Sequence, residues 1–141
     1  KMPNISLTTD IIVGFPGETE EEFEITYNYL KKINFYKMHV FKYSQRKGTR
    51  AATMLNQIDG NIKEKRSSKL IDLSDCNEKE YLDSYIGKNM QVLFEQKEGE
   101  YVKGHTSNYI VVKAKDRGLE NKFREVKIVK RENLELIGEI I

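Results

Sequence analysis

The chain has 141 residues, 38% hydrophobic and 33% charged, with 24 Lys or Arg against 22 Asp or Glu and a formal net charge of +2. That is enough for one ordinary domain or two small ones. No apolar run approaches the length of a membrane helix, no basic-then-apolar leader opens the chain, and the one cysteine, Cys76, makes neither an internal disulfide nor a cysteine-ligated metal site, so a reduced, cytoplasmic protein is expected.

In chain order, Asp10-Ile-Ile-Val-Gly14 is a β-branched run bounded by turn residues and predicts a buried strand ending at Gly14. Phe15-Pro16-Gly17 then forces a turn. Thr19 followed three positions later by Glu22 fits a capping box, so a helix is expected to start near Glu20. Phe23, Tyr27 and Leu30 give it one apolar face, Glu21, Glu22 and Glu24 complement its positive amino end, and Asn34 ends it. Lys37 to Tyr43 holds Met38, Val40 and Phe41 in a strand-length run, and a second helix is predicted from about Asn61 to Tyr85 on Ile62, Leu70, Leu73 and Tyr81.

Strand, helix, strand, helix implies parallel strands under covering helices, an α/β arrangement whose ligands sit beyond the carboxyl ends of the strands. Two loops lie there, Gly14-Phe-Pro-Gly-Glu-Thr19 and Tyr43-Ser-Gln-Arg-Lys-Gly-Thr-Arg-Ala-Ala52. Spacing alone makes the first a tight turn, since it is neither a Walker A loop nor a GxGxxG fingerprint, and the pattern leaves the ligand open.

From Gly87 onward short β-rich runs follow one another: 90–95, 100–106, 109–113, 125–130 and 134–138. Lys97-Glu98-Gly99 supplies a hairpin turn, Asp116-Arg117-Gly118 starts a polar loop, and Val126 and Ile128 set against Lys127 and Lys130 give one buried and one wet face. Five short strands fit a small closed barrel of OB-like type, a fold that often binds oligonucleotides.

The stretches Thr8–Phe23, His39–Ala52 and Gly104–Ala114, in that order, resemble the carboxyl-terminal half of the radical SAM methylthiotransferases, and most closely the type that modifies threonylcarbamoyladenosine in tRNA. The resemblance covers nearly the whole chain. It implies that residues 1–80 are the last two βα units of a partial TIM-type barrel and residues 86–141 a five-stranded TRAM domain that grips RNA. The first strand would be the fifth of six barrel strands, and Lys37 to Tyr43 the sixth.

In that family the end of the fifth strand carries a loose GxIxGxxE pattern lining the adenine side of S-adenosylmethionine. Ile12, Val13 and Gly14 fall on it, while Asp10 stands in place of the first glycine and Gly17 in place of the glutamate, with Glu18 next. Phe41 to Tyr43 would give the backbone edge that meets the adenine. The following loop departs from the family, with Lys42, Gln45, Lys47 and Arg50 where prolines are frequent. The parent enzyme implied by the resemblance uses S-adenosylmethionine and two 4Fe-4S clusters, one held by a CxxxCxxC triad and one by cysteines of an amino-terminal domain. One cysteine supplies neither, so this chain is expected to be an inactive fragment with no catalytic residue, no metal site and no cofactor of its own. Its first strand would also leave bare the edge that a fourth barrel strand pairs.

The implied partner is the tRNA anticodon arm, with no membrane contact and the oligomeric state left open. His105, Thr106, Asn108 and Tyr109 lie in the strand-turn-strand signature of the TRAM-like region and become RNA-contact candidates; read locally, Asn108 is a turn residue and Tyr109 a core residue. Arg46, Lys47 and Arg50 are a solvated loop or, facing tRNA, phosphate contacts. His39, in a strand among apolar neighbours, is expected to be packed in the core rather than to act as a base. The function implied is a portion of a transferase adding a methylthio group to a modified adenosine beside the anticodon. The alternatives are a non-enzymatic RNA-binding module, or a ribosomal-protein methylthiotransferase, which shares the GFPGETE stretch.

Overall fold

The computed structural model describes residues 5–115 and 118–141. Asp116 and Arg117, at the start of the expected polar loop, lie outside the described residues. The chain divides into two compact units, residues 7–77 and residues 78–141, the second taking in Ile5 and Ser6.

In the first unit strands β1 (Thr8–Val13) and β2 (Lys37–Lys42) pair in parallel, joined by helix α1 (Glu20–Ile33). The capping box forms as expected: Glu22 N–H donates to the Thr19 hydroxyl at 3.1 Å and Thr19 N–H to the Glu22 carboxylate at 2.9 Å. Asn34 closes the helix in the left-handed conformation at φ 57°, its N–H donating to Leu30 C=O. Helix α2 (Gly60–Asp83) begins behind Asp59, whose carboxylate accepts the Asn61 N–H at 2.8 Å. Val13 and Met38 from the strands, Phe23 and Leu30 from α1, and Leu70 and Leu73 from α2 make one core.

Only one face of this sheet is covered. Ile11, Val13, Met38 and Val40 turn toward the helices, whereas the register pairs Asp10 with His39 and Ile12 with Phe41 present the other face to solvent. The expected fully buried strand is therefore half-buried, and His39 is exposed rather than packed in a core. Alternation along a strand sends neighbouring residues to opposite faces, and His39 falls on the open one. Ile62, expected on the apolar side of α2, is 41% exposed.

In the second unit β3 (Asn89–Glu98), β4 (Tyr101–Thr106), β5 (Val111–Lys115), β6 (Lys122–Glu132) and β7 (Glu135–Ile140) close a barrel in the order β3-β4-β5-β7-β6. All pairs are antiparallel except β5 with β7. Val92, Phe94, Val102, Val112, Val126 and Leu136 fill the interior. A bulge between Ile128 and Lys130 adds one residue to β6, which is why Lys130 faces solvent although simple alternation from Val126 and Ile128 would turn it inward. The hairpin turn falls at Gly99-Glu100, with Gly99 at φ 62°, one position beyond the expected one. Strand β5 starts at Val111, and Tyr109 stands in the preceding turn at φ 62° rather than in the strand or the core.

Candidate cofactor groove and nucleic-acid interface

The carboxyl ends of β1 and β2 and the loop that follows β2 enclose a groove of about 400 Å³ lined by Ile12, Phe41, Lys42, Tyr43, Arg46 and Thr49 among others. Ile12 is 58% and Phe41 54% exposed, and as register partners they form one continuous apolar wall. Val13, by contrast, is buried in the helix-facing core. The Tyr43 N–H donates to Val13 C=O at 2.8 Å and so extends the parallel pairing. The Tyr43 hydroxyl is buried without a hydrogen-bond partner among the described residues.

Two side chains one helical turn apart on α2 fix the Gly14–Glu18 loop. The stem of Lys63 lies so close over Gly14 that any Cβ there would collide with it, and Gly14 also needs φ 71°. The Lys63 ammonium donates to Tyr43 C=O at 3.1 Å and sits 5.3 Å from the Tyr43 ring centroid. Arg66, buried to 5% exposure, donates to the Glu18 carboxylate at 2.6 Å and to the Glu20 carboxylate at 3.0 Å. Glu18 in turn accepts the Gly14 N–H at 3.0 Å. The loop that the sequence marks as a ligand turn is thus held at both ends. Neither Lys63 nor Arg66 stood out in the sequence, because in the α2 pattern they read as solvated charges.

On the barrel, a groove of about 510 Å³ is lined by Gln91, Leu93, Glu95, His105, Thr106, Ser107, Tyr109 and Phe123. Tyr109 is 80% exposed. His105 is exposed and its Nδ1 lies 2.7 Å from the Glu95 carboxylate. Thr106 is buried, its hydroxyl donating to Asn108 Oδ1 at 2.6 Å and accepting the Ile110 N–H at 3.0 Å. Asn108 donates through Nδ2 to the hydroxyls of Tyr81 and Tyr85 at 3.1 and 3.0 Å. Burial, with the hydrogen bond to Tyr81, pushes the Tyr85 hydroxyl well above the ordinary phenol range, so it stays protonated. Thr106 and Asn108 therefore build the turn that holds Tyr109 outward. Arg46, Lys47 and Arg50 belong to the first unit, exposed in the loop after β2, and of these three Arg46 lines the groove there. Phe123, 60% exposed, was missed because it lies between Lys122 and Arg124 in a segment read as polar loop.

No family model matches the chain. Among curated proteins, it is 43% identical over 135 residues to the threonylcarbamoyladenosine tRNA methylthiotransferase MtaB of Bacillus subtilis, a match covering 92% of this chain and 30% of that protein. It is 48% identical over 143 residues to a probable threonylcarbamoyladenosine tRNA methylthiotransferase of Methanocaldococcus jannaschii, covering 100% of this chain and 32% of the relative. It is 41% identical over 145 residues to a tRNA-2-methylthio-N(6)-dimethylallyladenosine synthase of Campylobacter jejuni, covering 99% and 33%. Over nearly its whole length the chain is similar to tRNA methylthiotransferases.

The chain spans about a third of the length of the curated relatives it matches. Among its described residues no group of three or more His, Cys, Asp or Glu is placed to hold a metal ion, and Cys76 is a lone exposed thiol on α2. The donors for a cysteine-ligated cluster are not present, so the iron-sulfur groups that the family implies do not fit this chain. S-adenosylmethionine does fit the groove at β1 and β2, where an apolar wall and an orphaned buried hydroxyl lie together. No helix among the described residues is long and apolar enough to cross a membrane.

Proposed function

We propose that this chain is the carboxyl-terminal portion of a radical SAM tRNA methylthiotransferase acting in the cytoplasm on threonylcarbamoyladenosine beside the anticodon, with residues 1–80 ending the catalytic barrel and residues 86–141 forming a TRAM-like RNA-binding domain. The observation that carries the reading is the open apolar face of the β1–β2 sheet. A parallel pair is stable with both faces covered, and here Ile12 and Phe41 are bare. Further barrel strands supplied by the rest of the parent protein would enclose that face and the groove beside it. S-adenosylmethionine, when bound with a reducing cluster, supplies the methyl group and the radical that such a transfer requires.

What this portion contributes is binding and position. Ile12 and Phe41 form the wall against which an adenine lies, with the Gly14 turn and Tyr43 beside it, while Val13 anchors the strand in the helix-facing core. Lys63 and Arg66 keep that turn from collapsing. Tyr109 and His105 face the anticodon arm, and Thr106 and Asn108 serve the interface by fixing the turn that presents Tyr109. Arg46, Lys47 and Arg50 offer phosphate contacts on the barrel side.

The RNA-binding part is tested by fluorescence anisotropy with an anticodon stem-loop. The chain is expected to bind it, and Tyr109→Ala to weaken binding by about 1 kcal/mol or more, as for one lost stacking contact. Equal affinity of the parent and the folded mutant would remove Tyr109 from the interface. The enzymatic part is tested on the parent coding sequence, where a CxxxCxxC triad upstream of this segment is expected and its absence would leave a non-enzymatic RNA-binding module.

A further inference from the structure

The barrel carries an aromatic side chain that the reading above leaves unused. Phe123 faces outward on β6 beside Leu93, its register partner on β3, and lines the same groove as Tyr109. The groove's 510 Å³ lies within the range of about 300–1,000 Å³ usual for small-ligand pockets. Tyr109 is held in a left-handed conformation that disfavours a bulky residue, and Phe123 leaves most of its ring in water. Both are unfavourable where they stand, and both meet at one groove.

The rim adds a polar group: His105, which lines the groove, has its Nδ1 2.7 Å from the Glu95 carboxylate and is oriented by it. A planar group that stacks on aromatic rings and hydrogen-bonds through its edge satisfies both features. The charge on β6 adds a third. Lys122 and Arg124 hydrogen-bond only to carbonyls, those of Gly118 and Phe123, and with Lys127 they form no ion pair among the described residues. A polyanion that carries such a planar group meets three unpaired cations on the strand that bears Phe123.

We propose that this groove takes one unpaired nucleobase of RNA, stacked on Phe123 and Tyr109, with its hydrogen-bonding edge toward His105. The proposal rests on the RNA-binding reading given above and adds the site and the role of Phe123.

The sequence contains no tryptophan, so Phe123→Trp places a single fluorescent reporter in the groove. The probes are one RNA stem carrying an all-adenine, all-cytosine or all-uracil loop, and the same stem as a plain duplex. Tryptophan emission is expected to be quenched by the single-stranded loops, which bind at least about fivefold tighter than the duplex, and not by the duplex. Phe123→Ala should weaken loop binding at least about fivefold with the thermal midpoint and the salt dependence unchanged. Quenching by the duplex equal to that by the loops overturns the pocket. If Tyr109→Ala weakens binding and Phe123→Ala does not, the RNA reading stands and the base pocket falls. If the chain binds neither loop nor duplex, the RNA reading itself has failed and a protein partner becomes the groove's occupant.

Discussion

A Cβ added at Gly104 would fall well inside contact distance of the Leu93 carbonyl, and that atom is backbone, which has no rotamer to move into. At Gly17, which also has a positive φ, nothing lies within 4 Å, so only the conformation matters there. The two glycines separate space from conformation as reasons for lacking a side chain. Gly104→Ala is expected to cost at least about 1–3 kcal/mol, the range for overpacking. For a domain this small that lowers the thermal midpoint by more than about 5 °C, read by circular dichroism. Tyr109 makes the opposite case, an ordinary side chain where Asn or Gly is favoured. Because its ring is 80% exposed, replacing it removes little burial and relieves the backbone. Tyr109→Asn is therefore expected to raise the thermal midpoint by a few degrees, equivalent to about 1 kcal/mol, while stem-loop affinity falls. A mutant that is both less stable and weaker in binding would show that Tyr109 packs, contrary to its exposure.

Among the elements, those set by local chemistry were legible in the sequence. The capping box at Thr19 and Glu22, the stop at Asn34 and the five β-rich runs all form, because each depends on residues within a few positions of one another. What escaped depends on partners far along the chain. The bulge at Val129 and the length of β6 answer to pairing with β3 and β7, and Phe123 became legible as a surface residue only once Leu93 stood opposite it. Likewise, the groove beyond β1 was expected from strand order, whereas its braces Lys63 and Arg66 come from a helix some fifty residues later. One such long-range device predicts a pH dependence. Glu135 on β7 bonds Lys103 on β4 at 2.6 Å and Lys113 on β5 at 2.7 Å, and those ammonium groups hold its carboxyl below the ordinary carboxylate range. A folded-state pKa depressed in this way gives stability that is present above the unfolded pKa and lost as pH falls through the folded value. Thermal midpoints of the parent and Glu135→Gln should therefore differ at pH 6 and converge as pH falls below about 4. A difference that persists unchanged at pH 3 would mean the side chain matters for packing rather than charge.

At the scale of the whole molecule the electrostatic field is weak. Residues 86–141 carry eleven Lys or Arg and nine Asp or Glu, a net of +2. The structure reduces even that supply of free cations. Lys103 and Lys113 are engaged by Glu98 and Glu135, Lys130 by Glu132, and Arg131 by Asp83. Lys122, Arg124 and Lys127 remain exposed on β6 without an ion pair among the described residues. If those three meet phosphates, the logarithm of RNA affinity should fall with the logarithm of salt at a slope of about −2 to −3, since each neutralised phosphate releases about 0.7–0.9 of a counterion. That is shallow for a nucleic-acid binder, so most of the affinity at physiological salt must come from stacking and hydrogen bonds at Tyr109 and its neighbours. The prediction is then a contrast between two mutants measured across a salt series. Lys122→Ala should flatten the slope by somewhat less than 1 with a modest loss of affinity, whereas Tyr109→Ala should lower affinity at every salt concentration and leave the slope where it was. A slope steeper than about −6 would require more phosphate contacts than the three cations of β6 supply, and would move the main contact surface to Arg46, Lys47 and Arg50 on the loop after β2.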